Sequence, residues 1–259
     1  MARAFITGGL KRIGKAIALH LAAKGMSLDL HYRTETRDLE AYDRQLKALG
    51  APDVVFHQAD LAQQADVERL AQVILNSGTD LLVNNASCFD YDTPKSFTAD
   101  SWQKHLGPNL WAPARLSQAL YEAVDTASPQ NAAEKSAQGL IVNLLDQRVW
   151  NLTEHFASYT VSKAGLWTLT QTMALSYAPK VRVIGIGPGP TLPSPRQSQE
   201  HFDKQVAQTP LGVSTALEDI CAALDFAMQA GSFTGQMIAL DSGQHLNWGP
   251  IPANAGPGE

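Results

Sequence analysis

A tyrosine and a lysine with helical spacing are the residues best suited to proton transfer. Tyr159 and Lys163 occur in the run SYTVSK, within a segment that predicts a helix. A spacing of four places both side chains on one helical face, about 5–6 Å apart at Cβ. An ammonium group beside a phenol favours the phenolate, so we expect Lys163 to lower the pKa of Tyr159 from its usual value of about 10. The phenol could then pass a proton at neutral pH.

An aspartate upstream of this pair indicates the kind of group that receives the proton. Asp146 lies thirteen residues before Tyr159. An ionised carboxylate only accepts hydrogen bonds, so Asp146 suits a substrate that presents N–H donors or a ring nitrogen that must be protonated. Partial burial near Tyr159 would favour the protonated acid and let Asp146 donate a proton itself.

The N-terminal segment predicts a phosphate-binding turn between a strand and a helix. Residues 3–7 are apolar and typical of a strand, residues 8–14 carry three glycines, and residues 15–25 show helical periodicity. This order brings a pyrophosphate onto the N–H groups and dipole of a helix N-terminus. The pattern is T-G-x-x-x-R-x-G, with Arg12 where a further glycine would be expected.

The end of the second predicted strand favours NADPH over NADH. An NAD site usually places an acidic residue there to bond the ribose 2′-hydroxyl. Here the strand ends His31-Tyr32-Arg33-Thr34, and the first carboxylate is Glu35. Arg33 could form a forked pair with a 2′-phosphate, and Thr34 could donate a hydroxyl bond. A solvated Arg33 at a strand end is the plainer alternative.

Strand and helix patterns alternate along the whole chain and predict one α/β domain over residues 1–259. Strands are predicted at residues 3–7, 27–31, 53–57, 80–84, 139–144, 181–185 and 236–240. Helices are predicted at residues 15–25, 35–49, 63–76, 100–126, 156–177 and 215–230. Right-handed crossovers then give a doubly wound parallel sheet of about seven strands with helices on both faces. Residues 127–138 are predicted to be a solvated insertion, and residues 187 to about 210 a mobile substrate loop.

Composition narrows the possible partners and compartment. The chain has 259 residues, is 44% hydrophobic and has a net charge of −5, which argues against nucleic-acid binding. No apolar run approaches the ~20 residues of a membrane span. Cys88 and Cys221 lack metal-ligand spacing and read as free thiols in a reducing compartment. We therefore expect a cytoplasmic protein without a metal, a membrane partner or a nucleic-acid partner.

Several motifs, in the right order, resemble those of the short-chain dehydrogenase/reductase family. They are Thr7-Gly8 with Gly14, Asn84-Asn85-Ala86-Ser87, Asn109, Tyr159 with Lys163, and Pro188-Gly189. The resemblance covers nearly the whole chain and implies a Rossmann-type reductase. Members of the family are commonly tetrameric through their long helices, so a homotetramer is expected.

Departures from that family pattern resemble the pteridine reductases and the bacterial dihydromonapterin reductases. Arg12 and Ser87 replace glycines, and Asp146 replaces the usual catalytic serine. The other matching pieces are Lys11-Arg12, Ser87-Cys88-Phe89 and His31-Tyr32-Arg33. This second resemblance implies reduction of a dihydropterin, such as dihydromonapterin or dihydrobiopterin, to the tetrahydro form with NADPH.

The resemblance also implies roles for individual residues. Lys163 would hold the nicotinamide ribose, Asn109 would anchor a water that feeds the proton relay, and Phe89 with the nicotinamide would sandwich a flat bicyclic ring. The plainer alternatives are a satisfied amide in a proline-distorted helix for Asn109 and ordinary core packing for Phe89. Asp60 either contacts adenine or caps the following helix. The implied cofactor residues are Gly8, Lys11, Arg12, Ile13, Tyr32, Arg33, Thr34, Asp60, Leu61, Asn85, Ala86, Ser87, Tyr159, Lys163, Pro188 and Gly189. The implied substrate residues are Arg12, Ser87, Phe89, Asp146 and Tyr159, and the catalytic residues are Asp146, Tyr159, Lys163 and Asn109.

Two other functions are compatible with the sequence. One is reduction of ketones or 3-oxoacyl thioesters, although Asp146 would then place a negative charge against the developing oxyanion. The other is a cofactor-sensing binding module, which the intact Tyr159, Lys163 and Asn109 argue against. His245 and Trp248, in the tail of residues 243–259, either complete a substrate pocket or pack at an interface.

Overall fold

One parallel sheet organises the computed structural model, which describes residues 2–34, 38–127, 137–194 and 197–246. Its seven described strands are β1 (Arg3–Ile6), β2 (Ser27–Tyr32), β3 (Val54–Gln58), β4 (Leu81–Asn84), β5 (Gly139–Leu144), β6 (Val181–Pro188) and β7 (Met237–Leu240). Their order is β3-β2-β1-β4-β5-β6-β7, and every neighbouring pair is parallel. Every residue of β4 and of β5 is buried, as expected for strands covered on both faces.

Helices cover both faces of the sheet. Within the described residues they are α1 (Arg12–Ala23), α2 (Leu39–Leu49), α3 (Gln64–Ser77), α4 (Ala99–Leu106), α5 (Ala112–Ala127), α6 (Ala157–Tyr177), α7 (Gln199–Ala207) and α8 (Leu217–Gln229). One apolar cluster includes Leu21 of α1 and Leu224 of α8. A second includes Ile74 of α3 and Leu120 of α5. The predicted Rossmann-type sheet with helices on both faces is confirmed, with element bounds displaced by a few residues.

The topology places the candidate site at the carboxyl ends of the central strands. The chain passes outward from β1 through β2 to β3, then returns to the other side of β1 with β4. The loops after β1 and β4 therefore diverge at a switch point, where ligands bind in open α/β sheets. Residues 7–14, 85–92 and 145–156 all follow carboxyl ends of neighbouring strands.

The long helix predicted over residues 100–126 is interrupted. A π-helical turn, Gly107–Trp111, separates α4 from α5. Pro108 lacks an N–H donor and its ring clashes with a regular helical carbonyl, so a wider turn accommodates it. This local distortion leaves Asn109 fully buried.

The predicted loop of residues 187 to about 210 is partly wrong. Strand β6 continues to Pro188, and α7 occupies Gln199–Ala207. Four of the five prolines of this segment precede Ser198, whose hydroxyl caps α7 by accepting the His201 N–H at 3.2 Å. Phe202 is buried on the inner face of α7. Proline content averaged over the whole segment concealed this amphipathic helix.

Some predictions lie outside the described residues. These are most of the 127–138 insertion, Glu35, and the tail beyond residue 246, which includes Trp248. Among the helices that the structure describes, none is both long and apolar enough to cross a bilayer.

Candidate active site

Tyr159 lies in the first turn of α6 and is hydrogen bonded to Asp146. Its hydroxyl donates to Asp146 Oδ2 at 2.8 Å, while Asp146 Oδ1 accepts the Arg148 N–H at 2.9 Å. Tyr159 is 6% exposed. Burial, followed by the nearby Asp146 carboxylate, raises the pKa of Tyr159 well above its usual value. At neutral pH the side chain is therefore an uncharged phenol, the protonation state that a proton donor requires.

Lys163 lies one helical turn further along α6 and is also buried. Its Nζ donates to the Leu144 carbonyl oxygen at 2.7 Å and lies 5.8 Å from the centroid of the Tyr159 ring. Burial lowers the pKa of Lys163 to about 8, against an opposing effect of Asp146. The expectation that Lys163 would lower the pKa of Tyr159 is wrong for this arrangement, because burial and Asp146 dominate.

Asn109 anchors the loop that follows β4. Its Nδ2 donates to the Cys88 carbonyl oxygen at 2.9 Å and to Ser162 Oγ at 3.0 Å. Its Oδ1 accepts from the Cys88 N–H at 2.7 Å and from the Ser87 hydroxyl at 3.2 Å. A side-chain amide has two N–H donors and two lone pairs, and all four are used. The side-chain amide is thus fully satisfied and positions the loop, and the expected role of Asn109 in anchoring a water stays a prediction.

Phe89 lies in this loop and forms an aromatic cluster with residues of α6. Its ring stacks on Phe156, with centroids 4.2 Å apart and planes 12° apart. It also meets Tyr159 in a T-shaped contact at 4.6 Å. Stacking on Phe156 fixes the orientation of a half-buried aromatic ring directly beside the Tyr159 phenol.

The turn after β1 has the close packing of a phosphate-binding loop. Gly8 has φ +69°, a conformation that favours glycine. A Cβ on Gly14 would lie 2.1 Å from the Gly8 carbonyl oxygen, so only glycine allows α1 to approach the turn. The N-cap residue Lys11 makes no side-chain capping bond, and the first turn of α1 contains no acidic residue. These features fit a bound pyrophosphate.

Arg12 has an unusual backbone and links two loops. Its φ is +51°, which explains why a glycine is the usual residue of this pattern. Its guanidinium donates to the carbonyl oxygens of Leu192 and Pro193 at 2.9 Å and 2.8 Å. Arg12 therefore joins the turn after β1 to the segment after β6. The neighbouring Ile13 is half-buried and packs against the core.

Hydrogen bonds also join the turn after β1 to the loop after β4. Asn85 Nδ2 donates to the Thr7 carbonyl oxygen at 2.8 Å and to the Gly8 carbonyl oxygen at 3.2 Å. The Thr7 hydroxyl accepts the N–H groups of Asn85 and Ala86 at 2.9 Å and 3.0 Å. The two walls of the predicted cofactor site are thus held at a fixed separation.

The end of β2 places the predicted phosphate-binding side chains at the surface. Tyr32 is half-buried, and Arg33 and Thr34 are exposed. Nearby, Asp60 Oδ1 accepts the Ala62 N–H at 3.0 Å and closes a turn ahead of α3. Asp60 does not cap α3, since its N-cap residue is Gln63. Leu61, the neighbouring residue of the predicted cofactor site, is buried.

His31 connects the turn after β1 with Ala59 at the end of β3. The sequence placed His31 in the motif at the end of β2 but did not indicate this contact. Its Nδ1 lies 3.2 Å from the Gly8 N–H, and its Nε2 lies 3.1 Å from the Ala59 carbonyl oxygen. These partners assign the neutral tautomer with the proton on Nε2. Burial lowers the pKa of His31, in agreement with that assignment.

Pro188 and Gly189 mark the end of β6 beside β7. A Cβ on Gly189 would lie 2.7 Å from the Asp241 Cα, so glycine is required there. Asp241 accepts hydrogen bonds from the His245 backbone N–H and ring, and the His245 ring contacts Trp150 at 5.3 Å. His245 therefore packs the start of the tail against the loop after β5.

One group of possible metal ligands lies beside the site. Ligand atoms of Cys88, Asp90 and His105 lie within 4.8 Å of one another. However, Lys104 forms an ion pair with Asp90, and His105 Nε2 accepts the Asp90 N–H at 3.0 Å. Burial and Asp90 raise the pKa of Cys88 to about 11, so its thiol is protonated at neutral pH. This group does not suit a metal ion.

Residues 2–204 match the family described as short chain dehydrogenase. The chain belongs to this family and is an oxidoreductase. The glycine-rich motif of the family forms the turn after β1, and the Tyr159–Lys163 pair lies on α6.

The names of similar proteins in this family denote different substrates. The chain is 29% identical over 252 residues to 3beta-hydroxysteroid dehydrogenase 1 of Eggerthella lenta, with 93% of this chain and 92% of that protein covered. It is 25% identical over 244 residues to the dihydromonapterin reductase of an Enterobacter species, with 93% and 96% covered.

Two solved structures resemble the chain over nearly its full length. FolM alternative dihydrofolate reductase 1 from Brucella canis, complexed with NADP, has a TM-score of 0.84 at 37% identity and 98% coverage of both chains. The corresponding protein from Brucella suis, also with NADP, has a TM-score of 0.83 at 36% identity, with 95% and 96% covered. The resemblance to pteridine reductases is confirmed, and the predicted cofactor agrees with these complexes.

Proposed function

We propose that this protein is an NADPH-dependent reductase that converts a dihydropterin, such as dihydromonapterin or dihydrobiopterin, to its tetrahydro form. The observation that carries the proposal is the hydrogen bond from Tyr159 to Asp146, next to the ring of Phe89. A neutral phenol, an acceptor carboxylate and an aromatic ring together suit a flat heterocycle with N–H groups. They suit a simple ketone less well, because its oxyanion would face Asp146.

The cofactor fits the glycine turn and the end of β2. The uncapped N-terminus of α1, with Lys11 and Arg12, would hold the pyrophosphate, and Arg33 with Thr34 would hold a 2′-phosphate. Asn85, Ala86, Pro188 and Gly189 would line the nicotinamide end of the site. When bound, NADPH supplies the hydride for the reduction.

The chain's own residues then handle the proton and the substrate. Tyr159 is protonated and buried, so it can give its proton to the substrate nitrogen next to the reduced carbon. Asp146 accepts the Tyr159 O–H in the structure. When Asp146 accepts an N–H of the heterocycle instead, the phenol O–H is free to turn toward the substrate nitrogen. Phe89 offers its ring to one face of the substrate, and Ser87 and Arg12 would meet its polar edge. Lys163 lies beside Tyr159 and would hold the cofactor ribose.

Assembly and location are part of the same proposal. Val161 and Leu175 on α6 are 44% and 82% exposed, as expected for a helix that packs against another subunit. A homotetramer that works in the cytoplasm, without a nucleic-acid or membrane partner, is consistent with these surfaces and with the net charge of −5. Sedimentation analysis tests the assembly.

An NADPH-oxidation assay tests the reaction. The purified protein is assayed with dihydromonapterin, dihydrobiopterin, dihydrofolate and a 3-oxoacyl thioester at equal concentrations. The proposal expects the highest kcat/KM with a dihydropterin. Ready reduction of the thioester or of simple ketones, with every dihydropterin left unchanged, would establish the carbonyl reductase instead. NADPH binding without turnover of any substrate would favour a cofactor-sensing module.

A further inference from the structure

The helix that carries Tyr159 begins in an unusual way. Phe156, the N-cap residue of α6, has φ +58° and makes no side-chain capping bond. Residues with a β-carbon rarely adopt this left-handed conformation, and they keep it where surrounding contacts impose it. The side chain of a phenylalanine cannot accept the free N–H groups of the first helical turn. The start of α6 therefore needs support from elsewhere.

Asp92, in the loop after β4, provides this support. Its carbonyl oxygen accepts the Phe156 N–H at 2.7 Å. Its carboxylate Oδ1 accepts the Ser158 N–H at 3.1 Å, and Oδ2 accepts the Ser158 hydroxyl. Asp92 is 4% exposed, so these bonds are shielded from water. An aspartate 66 residues away thus makes the capping bond that the N-cap residue lacks.

His105 closes the same network from α4. Its Nδ1 lies 2.7 Å from Ser158 Oγ, and its Nε2 accepts the Asp90 N–H. Because the Ser158 hydroxyl donates to Asp92, these partners assign the neutral His105 tautomer with the proton on Nδ1. His105 and Ser158 are fully buried, and Ser158 is the residue directly before Tyr159.

We propose that Asp92 is a positioning residue that caps α6 from a separate loop and sets the Tyr159 hydroxyl against Asp146. The proposal rests on the proton-donor role of Tyr159 given above. The loop that contains Asp92 also contains Phe89, which stacks on Phe156. Asp92 therefore holds the proton donor and the proposed substrate-stacking ring in one fixed arrangement.

Substitutions at Asp92 test this proposal. Asp92→Ala removes both carboxylate bonds, whereas Asp92→Asn keeps one oxygen that can accept the Ser158 N–H. Thr98→Ala is the matched control, because Thr98 caps the neighbouring α4 by accepting the Ser101 N–H. For each protein, kcat, the KM for NADPH, thermal stability and hydrogen exchange of the Ser158 and Tyr159 amides are measured.

A positioning role predicts a specific pattern. Asp92→Ala should lower kcat about 10- to 100-fold through misplacement of the phenol. The KM for NADPH should change less than about twofold, since the glycine turn is untouched. Asp92→Asn should restore part of kcat. Thr98→Ala should lower thermal stability and leave kcat near that of the wild type.

Other outcomes would overturn the proposal. A folded Asp92→Ala protein with wild-type kcat, or amides at Ser158 and Tyr159 as protected as in the wild type, would exclude the role of Asp92. If Asp92→Ala does not fold, the same measurements of kcat and amide exchange on Asp92→Asn and Ser158→Ala test the proposal. Amide exchange needs no substrate, so a wild-type protein that reduces no dihydropterin would refute the proposed function and leave the capping role to be judged separately.

Discussion

The Tyr159 hydroxyl donates to Asp146 Oδ2 at 2.8 Å, so the proposed proton donor and the distinctive carboxylate of the site share one hydrogen bond. This contact contributes to the raised pKa of Tyr159, after burial. A serine in this place could donate to a carbonyl oxygen, whereas Asp146 as an ionised group can only accept.

Asp146→Ser is expected to remove most dihydropterin reduction. The variant replaces the charged acceptor of a substrate N–H by a neutral hydroxyl, and a charged hydrogen bond is typically worth about 1.5–3 kcal/mol. kcat/KM for a dihydropterin should fall roughly 10- to 100-fold, as measured by NADPH oxidation. Asp125→Ser, at a surface aspartate on α5, serves as the control. A gain of ketone reduction with no loss of pterin reduction would contradict this role of Asp146.

Tyr159→Phe is expected to abolish turnover and spare cofactor binding. The variant loses only the proton-donating hydroxyl, and general acid catalysis is typically worth about 10²–10⁴ in rate. Lys163→Ala should impair both turnover and NADPH affinity, because Lys163 would serve both the ribose and the phenol. Stopped-flow turnover and fluorescence titration with NADPH separate the two effects. Tyr121→Phe on α5 is the control, and more than a tenth of the wild-type rate in Tyr159→Phe would remove Tyr159 from the mechanism.

Phe89→Ala is expected to raise the KM for the pterin. The lost ring contact should cost about 0.5–1.5 kcal/mol, the range for an aromatic pair, which is roughly a 2- to 12-fold change. Affinity for NADPH should change less. Phe97→Ala removes another partly exposed phenylalanine, whose ring contacts Trp102, and serves as the control. An unchanged KM would show that Phe89 only packs against Phe156.

Arg33→Asp is expected to reduce the preference for NADPH. Loss of a forked contact with the 2′-phosphate should cost about 1.5–3 kcal/mol of binding free energy. This cost lowers NADPH affinity roughly 10- to 100-fold. NADH affinity should change little or improve. Arg44→Asp, on the exposed face of α2, makes the same charge change and is the control. Equal affinities of the wild type for NADPH and NADH would refute the cofactor assignment.

Lys163→Met is expected to stabilise the fold while it inactivates the enzyme. Burial lowers the pKa of Lys163 from 10.5 to about 8. At 1.36 kcal/mol per pKa unit, the buried ammonium group destabilises the folded state by about 3 kcal/mol. At pH 7 the variant should gain about 1–3 kcal/mol in free energy of unfolding, reduced by the lost bond to the Leu144 carbonyl oxygen.

The sign of the pH dependence follows from proton binding. Between pH 8 and 10.5 the unfolded wild type holds a proton on Lys163 that the folded protein releases. The free energy of unfolding of the wild type therefore rises with pH across this window, and the stability advantage of Lys163→Met shrinks. Urea unfolding at pH 7 and at pH 9.5 measures both values. A variant less stable than the wild type at pH 7, or a difference that does not change with pH, would contradict this account.

The fold was predictable because its signals are local in sequence. The alternating strand and helix patterns predicted all seven strands, and β5 occurs at its predicted residues, Gly139–Leu144. The spacing of Tyr159 and Lys163 predicted a shared helical face. Helix α7 was missed because its short amphipathic pattern follows a run of prolines.

The electrostatics of the site were not predictable from spacing. The expected effect of Lys163 on Tyr159 assumed a solvated helix surface, whereas both side chains are buried. The contacts of Asp92 with Ser158 and of His31 with Gly8 join residues 66 and 23 positions apart. Such partners depend on how loops meet after folding, and a single sequence contains no periodic signal for them.

The π-helical turn Gly107–Trp111 has a consequence for the length of the chain. A π-turn closes i→i+5 hydrogen bonds, so it holds one residue more than the α-helical turn that it replaces. Deletion of one residue in this turn, Pro108 for example, should therefore close it to regular α-helical spacing and keep α4 and α5 in register, although Asn109 would be drawn from the loop that it anchors. Deletion of one residue from the first regular turn of α5 has no such reserve. It would rotate the following residues by about 100° and turn Leu116 and Leu120 away from the core.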